Sequence, residues 1–142
     1  MELRRFRWIS VLAPLGIVVL IEGARYLPIG DAGRIAIDVF VAVLFAIFGI
    51  TMMRIIQESL ANVRKHSRAT TASVDVRRRD FELIVTVSDN GIGFIPGSPT
   101  KSYFPRFGIP TMQERAATIG GALIIDSVPG RGTTVRLQVP IA

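Results

Sequence analysis

The chain has no cysteine among its 142 residues, which excludes disulfides and thiolate metal sites. It has no internal repeat and no low-complexity tract. Its net charge of +6 is spread over short groups at Arg4–Arg7, Arg64–Arg68 and Arg77–Arg79. No recognition motif stands beside them, so no nucleic-acid partner is expected. Charge is also scarce where apolar residues crowd, in the first 53 positions, and this unevenness divides one short chain into two regions.

What is present in the first region is apolar length. The composition is 49% hydrophobic, above the usual range of a soluble domain. Trp8–Ile21 is uncharged and extends to Ile29 if Glu22 and Arg25 are tolerated near its end; Ile35–Met53 holds only Asp38 as a charge. Each approaches the roughly 20 residues a transmembrane helix needs. A basic start and a short apolar centre also mark a cleaved secretory signal, but Glu22, Gly23 and Ala24 make a poor cleavage site. Residues 1–53 therefore read as a membrane hairpin of two helices, about 8–29 and 35–53, turning at Pro28, Gly30, Asp31 and Gly33. Arginines precede and follow the hairpin, which puts both termini in the cytoplasm, in a multi-pass protein of a bacterial-type inner membrane, with membrane lipid as a partner. Asp38 needs a partner within the span, and Arg34 is the nearest.

Residues 54–142 read as an alternation of helix and strand. Met53–Ser67 has the period of a helix, with Ile56, Leu60 and Val63 on one face and Glu58, Asn62 and Lys65 on the other. Strand patterns follow at Ala72–Arg77 and Phe81–Ser88, joined by a charged turn. Ile95–Arg106, rich in proline and glycine, reads as a lid loop. Pro110 suits the first turn of a helix running to about Ile119 and capped by Gly120 and Gly121. Ala122–Ser127 and Thr133–Val139 then form a hairpin across Pro129–Gly132. The informative stretch is Leu83–Phe94, LIVTVSDNGIGF, a β-rich strand ending in a carboxylate and two spaced glycines that let a backbone come close to a ligand. Alone it reads as a hairpin turning at Asn90–Gly91.

Four stretches in order, ESLANVRKH (58–66), DNGIGF (89–94), FGIPTMQERA (107–116) and SVPGRGTT (127–134), together resemble the ATP-binding domain of sensor histidine kinases. That superfamily also holds gyrase, heat-shock chaperone ATPases and mismatch-repair ATPases. The resemblance implies a Bergerat-type α/β sandwich, a mixed and mostly antiparallel sheet with helices on one face, binding ATP and Mg²⁺. In it, Asn62 holds Mg²⁺, Glu58 is the candidate general base, and Lys65 and His66 reach toward phosphates. Asp89 resembles the aspartate that accepts a hydrogen bond from the adenine amino group; Gly91, Gly93 and Phe94 match the first glycine box. Gly108 and Ile109 match the second, with Met112, Glu114 and Arg115 continuing it, although Thr111 stands where a further glycine is common. Gly130, Gly132 and Thr133 resemble the last box, the threonine hydroxyl toward nucleotide.

The implied activity is phosphoryl transfer from ATP to a histidine in two-component signalling, with a response regulator as partner. The family's acceptor histidine lies on a dimerisation hairpin ahead of the ATP-binding domain, and here the single histidine is His66. The acceptor hairpin and the strand that usually precedes the first helix are both expected to be absent. The chain then reads as a kinase with its middle deleted, not autonomous and served by a separate histidine-bearing dimerisation domain. The alternatives are a non-catalytic membrane remnant that binds nucleotide or a partner, and an ATP hydrolase in which Glu58 activates water.

Overall fold

The computed structural model of the chain describes Gly23 and residues 30–96 and 108–141. The first expected membrane helix, most of the lid and Ala142 lie outside the described residues. Helix α1 begins after Gly30, whose carbonyl accepts the amides of Gly33 and Arg34 at 2.9 and 3.3 Å. It runs from Asp31 to Asn62, about 48 Å at 1.5 Å per residue. Asp31 places a negative charge in the first turn, where the helix dipole favours one. The second apolar run and the helix expected from Met53 are therefore one element: nothing near Met53–Arg54 breaks a helix, and both residues favour one.

After Asn62 the last turn widens into a π-helical turn, Val63–Ser67, and Arg68 leaves it with φ 54°. Strands β1 (Ala72–Arg79) and β2 (Glu82–Asp89) follow, then helix α2 (Gly108–Thr118) and strands β3 (Ala122–Val128) and β4 (Gly132–Pro140). The sheet order is β1-β2-β4-β3, and every pairing among the described strands is antiparallel. The expected mixed sheet is corrected to this extent. The α2 connection carries β2 over to β3, which runs parallel to it, but β4 lies between them, just as β2 lies between the parallel β1 and β4, so no parallel strands are neighbours.

Register fixes which side chains meet the helices. Val85 pairs with Leu137 and Leu83 with Val139, and Leu123 pairs with Leu137; these odd-numbered positions point to one face. On that face Ile55 of α1 and Met112 and Ala116 of α2 join Val85, Leu137 and Val139 in a single buried core. Phe48 and Met52 also pack against it, so helix residues preceding Arg54 take part in the core.

The dry side of α1 keeps Ile56, which packs against the core, but is not centred on the line Ile56, Leu60 and Val63. It follows Phe48, Met52, Ile55 and Ser59, while Leu60 is 38% exposed. Ser59 can lie in the core because its hydroxyl donates to the Ile55 carbonyl at 2.8 Å and meets Met112 Sδ at 3.5 Å. Its polar atom is satisfied locally. α2 ends where Gly120, at φ 69°, lets the Gly121 amide return to the Ala116 carbonyl at 2.8 Å. Arg34 and Asp38 are both exposed, with no ion pair between them among the described residues.

Candidate functional site

At one end of the sheet the core-facing row changes from apolar to polar. Past Val85 and Val87 on β2 comes Asp89; past Leu137 and Val135 on β4 comes Thr133; and β3 contributes Ser127. Asp89 pairs with Thr133 and Thr133 with Ser127, so the three side chains share the helix-covered face at its open end. All three are half-buried. Asp89 Oδ1 accepts the Gly91 amide at 2.8 Å, which fixes the carboxylate and leaves Oδ2 without a hydrogen-bond donor among the described residues. The Thr133 and Ser127 hydroxyls are 2.9 Å apart.

The glycine motifs close on one another. A Cβ at Gly91 would strike the Ser67 carbonyl oxygen and Cβ, at the end of the α1 segment. One at Gly93, at φ +59°, would strike the Val128 carbonyl, and one at Gly132, at φ +84°, the Asp89 carbonyl. The neighbours these glycines admit are therefore other parts of the protein, mostly its backbone. Hydrogen bonds follow the same lines: Ile92 N–H donates to the Ser67 carbonyl and Gly130 N–H to the Ile92 carbonyl, both at 2.7 Å. The Asn90–Gly91 pair is not a two-residue hairpin. Its chain leads instead along the ends of β4 and β3, where the Phe94 amide donates to Ser127 Oγ at 2.9 Å.

The facing wall comes from the helices. The N-terminal residue of α2, Gly108, is so placed that a Cβ on it would lie 2.8 Å from Glu58 Oε1 and 3.8 Å from Asn62 Nδ2. Glu58 and Asn62, one turn apart, thus both look toward the start of α2, where unpaired backbone amides and the helix dipole favour anions. Lys65 and His66 are exposed on the π-helical turn. More residues per turn there rotate Lys65 away from the straight line with Asn62 that a regular helix would give. Ile109 packs against the core, and Phe94 is half-buried.

Three structural contributors were not evident from the sequence. Ser67 is buried, and its carbonyl holds the Ile92 amide. Asn90 Oδ1 accepts the amides of Thr70 and Thr71, each at 3.0 Å, tying the approach to β1 against the glycine loop. Ser127 joins the first and last glycine motifs. A serine at a helix end, or an asparagine beside glycine, signals a cap or a turn; the partner here lies up to 33 positions away, and no local pattern announces it.

Residues 49–142 match the family model "Histidine kinase-, DNA gyrase B-, and HSP90-like ATPase". The chain is similar to an uncharacterized sensor-like histidine kinase of Chloroflexus aurantiacus, 40% identical over 93 residues, covering 63% of this chain and 16% of that protein. It is also similar to the sensor histidine kinase LiaS of Bacillus subtilis, 39% identical over 90 residues, covering 63% of this chain and 24% of that protein. The chain thus spans a quarter or less of the length of these curated relatives. Among solved structures, the ATP binding domain of PrrB from Mycobacterium tuberculosis superposes with a TM-score of 0.55 at 20% identity, covering 66% of this chain and 68% of that one. This likeness shows the fold.

Proposed function

Because the chain belongs to the histidine kinase-, DNA gyrase B- and HSP90-like ATPase family, we propose that it is the ATP-binding part of a membrane-bound sensor histidine kinase, transferring phosphoryl from ATP to a histidine presented by a separate dimerisation domain. The carrying observations are the pairing of Asp89 with Thr133 at the sheet end that Gly91 and Ile92 join to Ser67, five residues past Asn62, and the approach of Glu58 and Asn62 to the N-terminus of α2. A purine would meet the Asp89 carboxylate, which accepts from an adenine amino group and cannot pair with a guanine carbonyl, with the Thr133 hydroxyl beside it. Phosphates would lie toward the α2 amides, Lys65 and His66.

Asn62 presents a side-chain amide there, and its oxygen suits Mg²⁺, which keeps waters and binds through few protein ligands plus substrate phosphates. Bound with nucleotide, Mg²⁺ would offset phosphate charge. Glu58, whose carboxylate lies beside Gly108, would accept a proton from an attacking group. His66 sits on the nucleotide-facing turn and can touch phosphate, yet an in-line acceptor must approach from the far side of the transferred group. The acceptor is therefore a histidine held elsewhere, and a response regulator would take the phosphoryl group onward. α1 is long and apolar enough to cross a bilayer; in this reading it is the second of two spans, the first being the apolar run 8–29, and the pair anchors the domain with both termini cytoplasmic.

Titrating the full chain in detergent with ATP, with Mg²⁺ and with a chelator, tests the assignment of Asn62. Asn62→Ala should weaken Mg-ATP binding by about tenfold, the worth of one lost charge-assisted contact, and leave Mg-free ATP binding nearly unchanged. An equal loss in both conditions would remove Asn62 from the metal.

A further inference from the structure

We propose that the Arg78–Phe81 turn between β1 and β2 is a membrane-contact rim that seats the ATP-binding domain against the bilayer surface; this rests on the reading that α1 spans the membrane. The first ground is direction. Ile92 and Gly91 meet Ser67 at the C-terminal end of the α1 segment, and β2 runs from Glu82 toward that end. The start of β2 and the turn before it therefore lie at the opposite end of the sheet, the end from which α1 arrives.

The second ground is level. Phe48 and Met52 pack against the domain core, while Ile47, Ile50 and Met53, on other sides of the same turns, are half or more exposed. An apolar surface of that kind is stable in lipid, not in water. The apolar run ending at Met53 is about 28 Å long, close to the roughly 30 Å of a bilayer's hydrocarbon core. No spacer then separates core from head groups, and the sheet end facing the membrane lies among them.

That end carries suitable chemistry. Phe81 is 71% exposed, although its carbonyl is fixed by the Ile141 amide at 2.7 Å, so a large apolar ring is held outward on a rigid backbone. Arg78 and Arg79 flank it, both exposed, and Arg78 Nε donates to the Asp80 carbonyl at 3.3 Å, closing the turn. Arg77 is occupied by Asp75, with Nε 2.6 Å from Oδ1. Asp80 and Glu82 offset the charge of Arg78 and Arg79. Attraction here thus comes from guanidinium hydrogen bonds to lipid phosphate and from an aromatic ring at the interface, more than from net charge.

The test places one tryptophan at a time in the full chain carrying Trp8→Phe, reconstituted in phosphatidylcholine–phosphatidylglycerol vesicles, with lipids brominated high on the acyl chain as quencher. Phe45→Trp reports the span, Phe81→Trp the rim, and Val128→Trp the far end of the sheet. The expected result is loss of most emission for Phe45→Trp and Phe81→Trp and little for Val128→Trp. Quenching of Phe45→Trp with Phe81→Trp as unquenched as Val128→Trp overturns the rim and leaves the span intact. Equal quenching of Phe81→Trp and Val128→Trp overturns it also, because the contact would not be local to the turn. An unquenched Phe45→Trp chain removes the span and the rim together.

Discussion

Asp89→Asn is expected to weaken ATP binding by about 10- to 150-fold, the worth of a hydrogen bond to a charged group, about 1.5 to 3 kcal/mol. The substitution keeps the shape and an oxygen that can accept the Gly91 amide as Asp89 Oδ1 does at 2.8 Å, so the loop itself should hold. What changes is the second position, where an amide presents donors in place of a charged acceptor. Adenine's amino group loses its partner, while a guanine carbonyl gains one. The ratio of ATP to GTP affinity should therefore fall in the variant, with its thermal midpoint little changed. Calorimetric titration of both nucleotides against both chains reads this directly. Equal ATP affinity in the two would remove Asp89 from base recognition.

The other large effect is expected from Gly132→Ala. Gly132 is buried at φ +84°, and a Cβ would collide with the Asp89 carbonyl and come within 3.0 Å of Asn90 Cα. The left-handed conformation costs an alanine about 1 to 2 kcal/mol, and inserting an atom into a filled site about 1 to 3 more. Those atoms belong to the strand carrying Asp89, so relief by movement would spoil the nucleotide end of the sheet. Gly130 is the control. Its φ is also positive, +78°, yet nothing lies within 4 Å of its Cβ position. Gly130→Ala should cost only about 1 to 2 kcal/mol, and Gly132→Ala about 2 to 5, out of the 5 to 15 typical of a domain. Denaturant melts of the two variants compare them; similar midpoints would contradict the interlocked glycine frame.

How much of this was legible in the sequence depended on how local the cause is. The four strands appear within two residues of the positions their alternation gives, because period and turn residues act locally. Asp89 and the glycine motifs were legible as a candidate site through their types and order. The work of those glycines was not: Gly132 faces Asp89 and Gly93 faces Val128, close approaches between motifs that only the sheet order produces. The buried stripe of α1 was misplaced for a related reason. Ile56, Leu60 and Val63 are the more apolar line, but α2 docks on the Glu58–Asn62 flank and shifts the buried centre to Ile55 and Ser59. Ser59 is polar by composition and neutral in place, since its hydroxyl is satisfied within its own helix. The division at Met53–Arg54 marks a change of composition that α1 crosses without a break.

The most direct test of the central reading is phosphotransfer. The detergent-solubilised chain is incubated with Mg²⁺ and ATP labelled at the γ-phosphate, alone and with a separate dimerisation hairpin bearing an acceptor histidine. The account predicts acid-labile label on the added hairpin, absent from the chain itself and greatly reduced by Asp89→Asn. Acid-labile label on the chain alone, lost in His66→Gln with ATP binding intact, would contradict it, as would release of labelled phosphate with no label on any histidine.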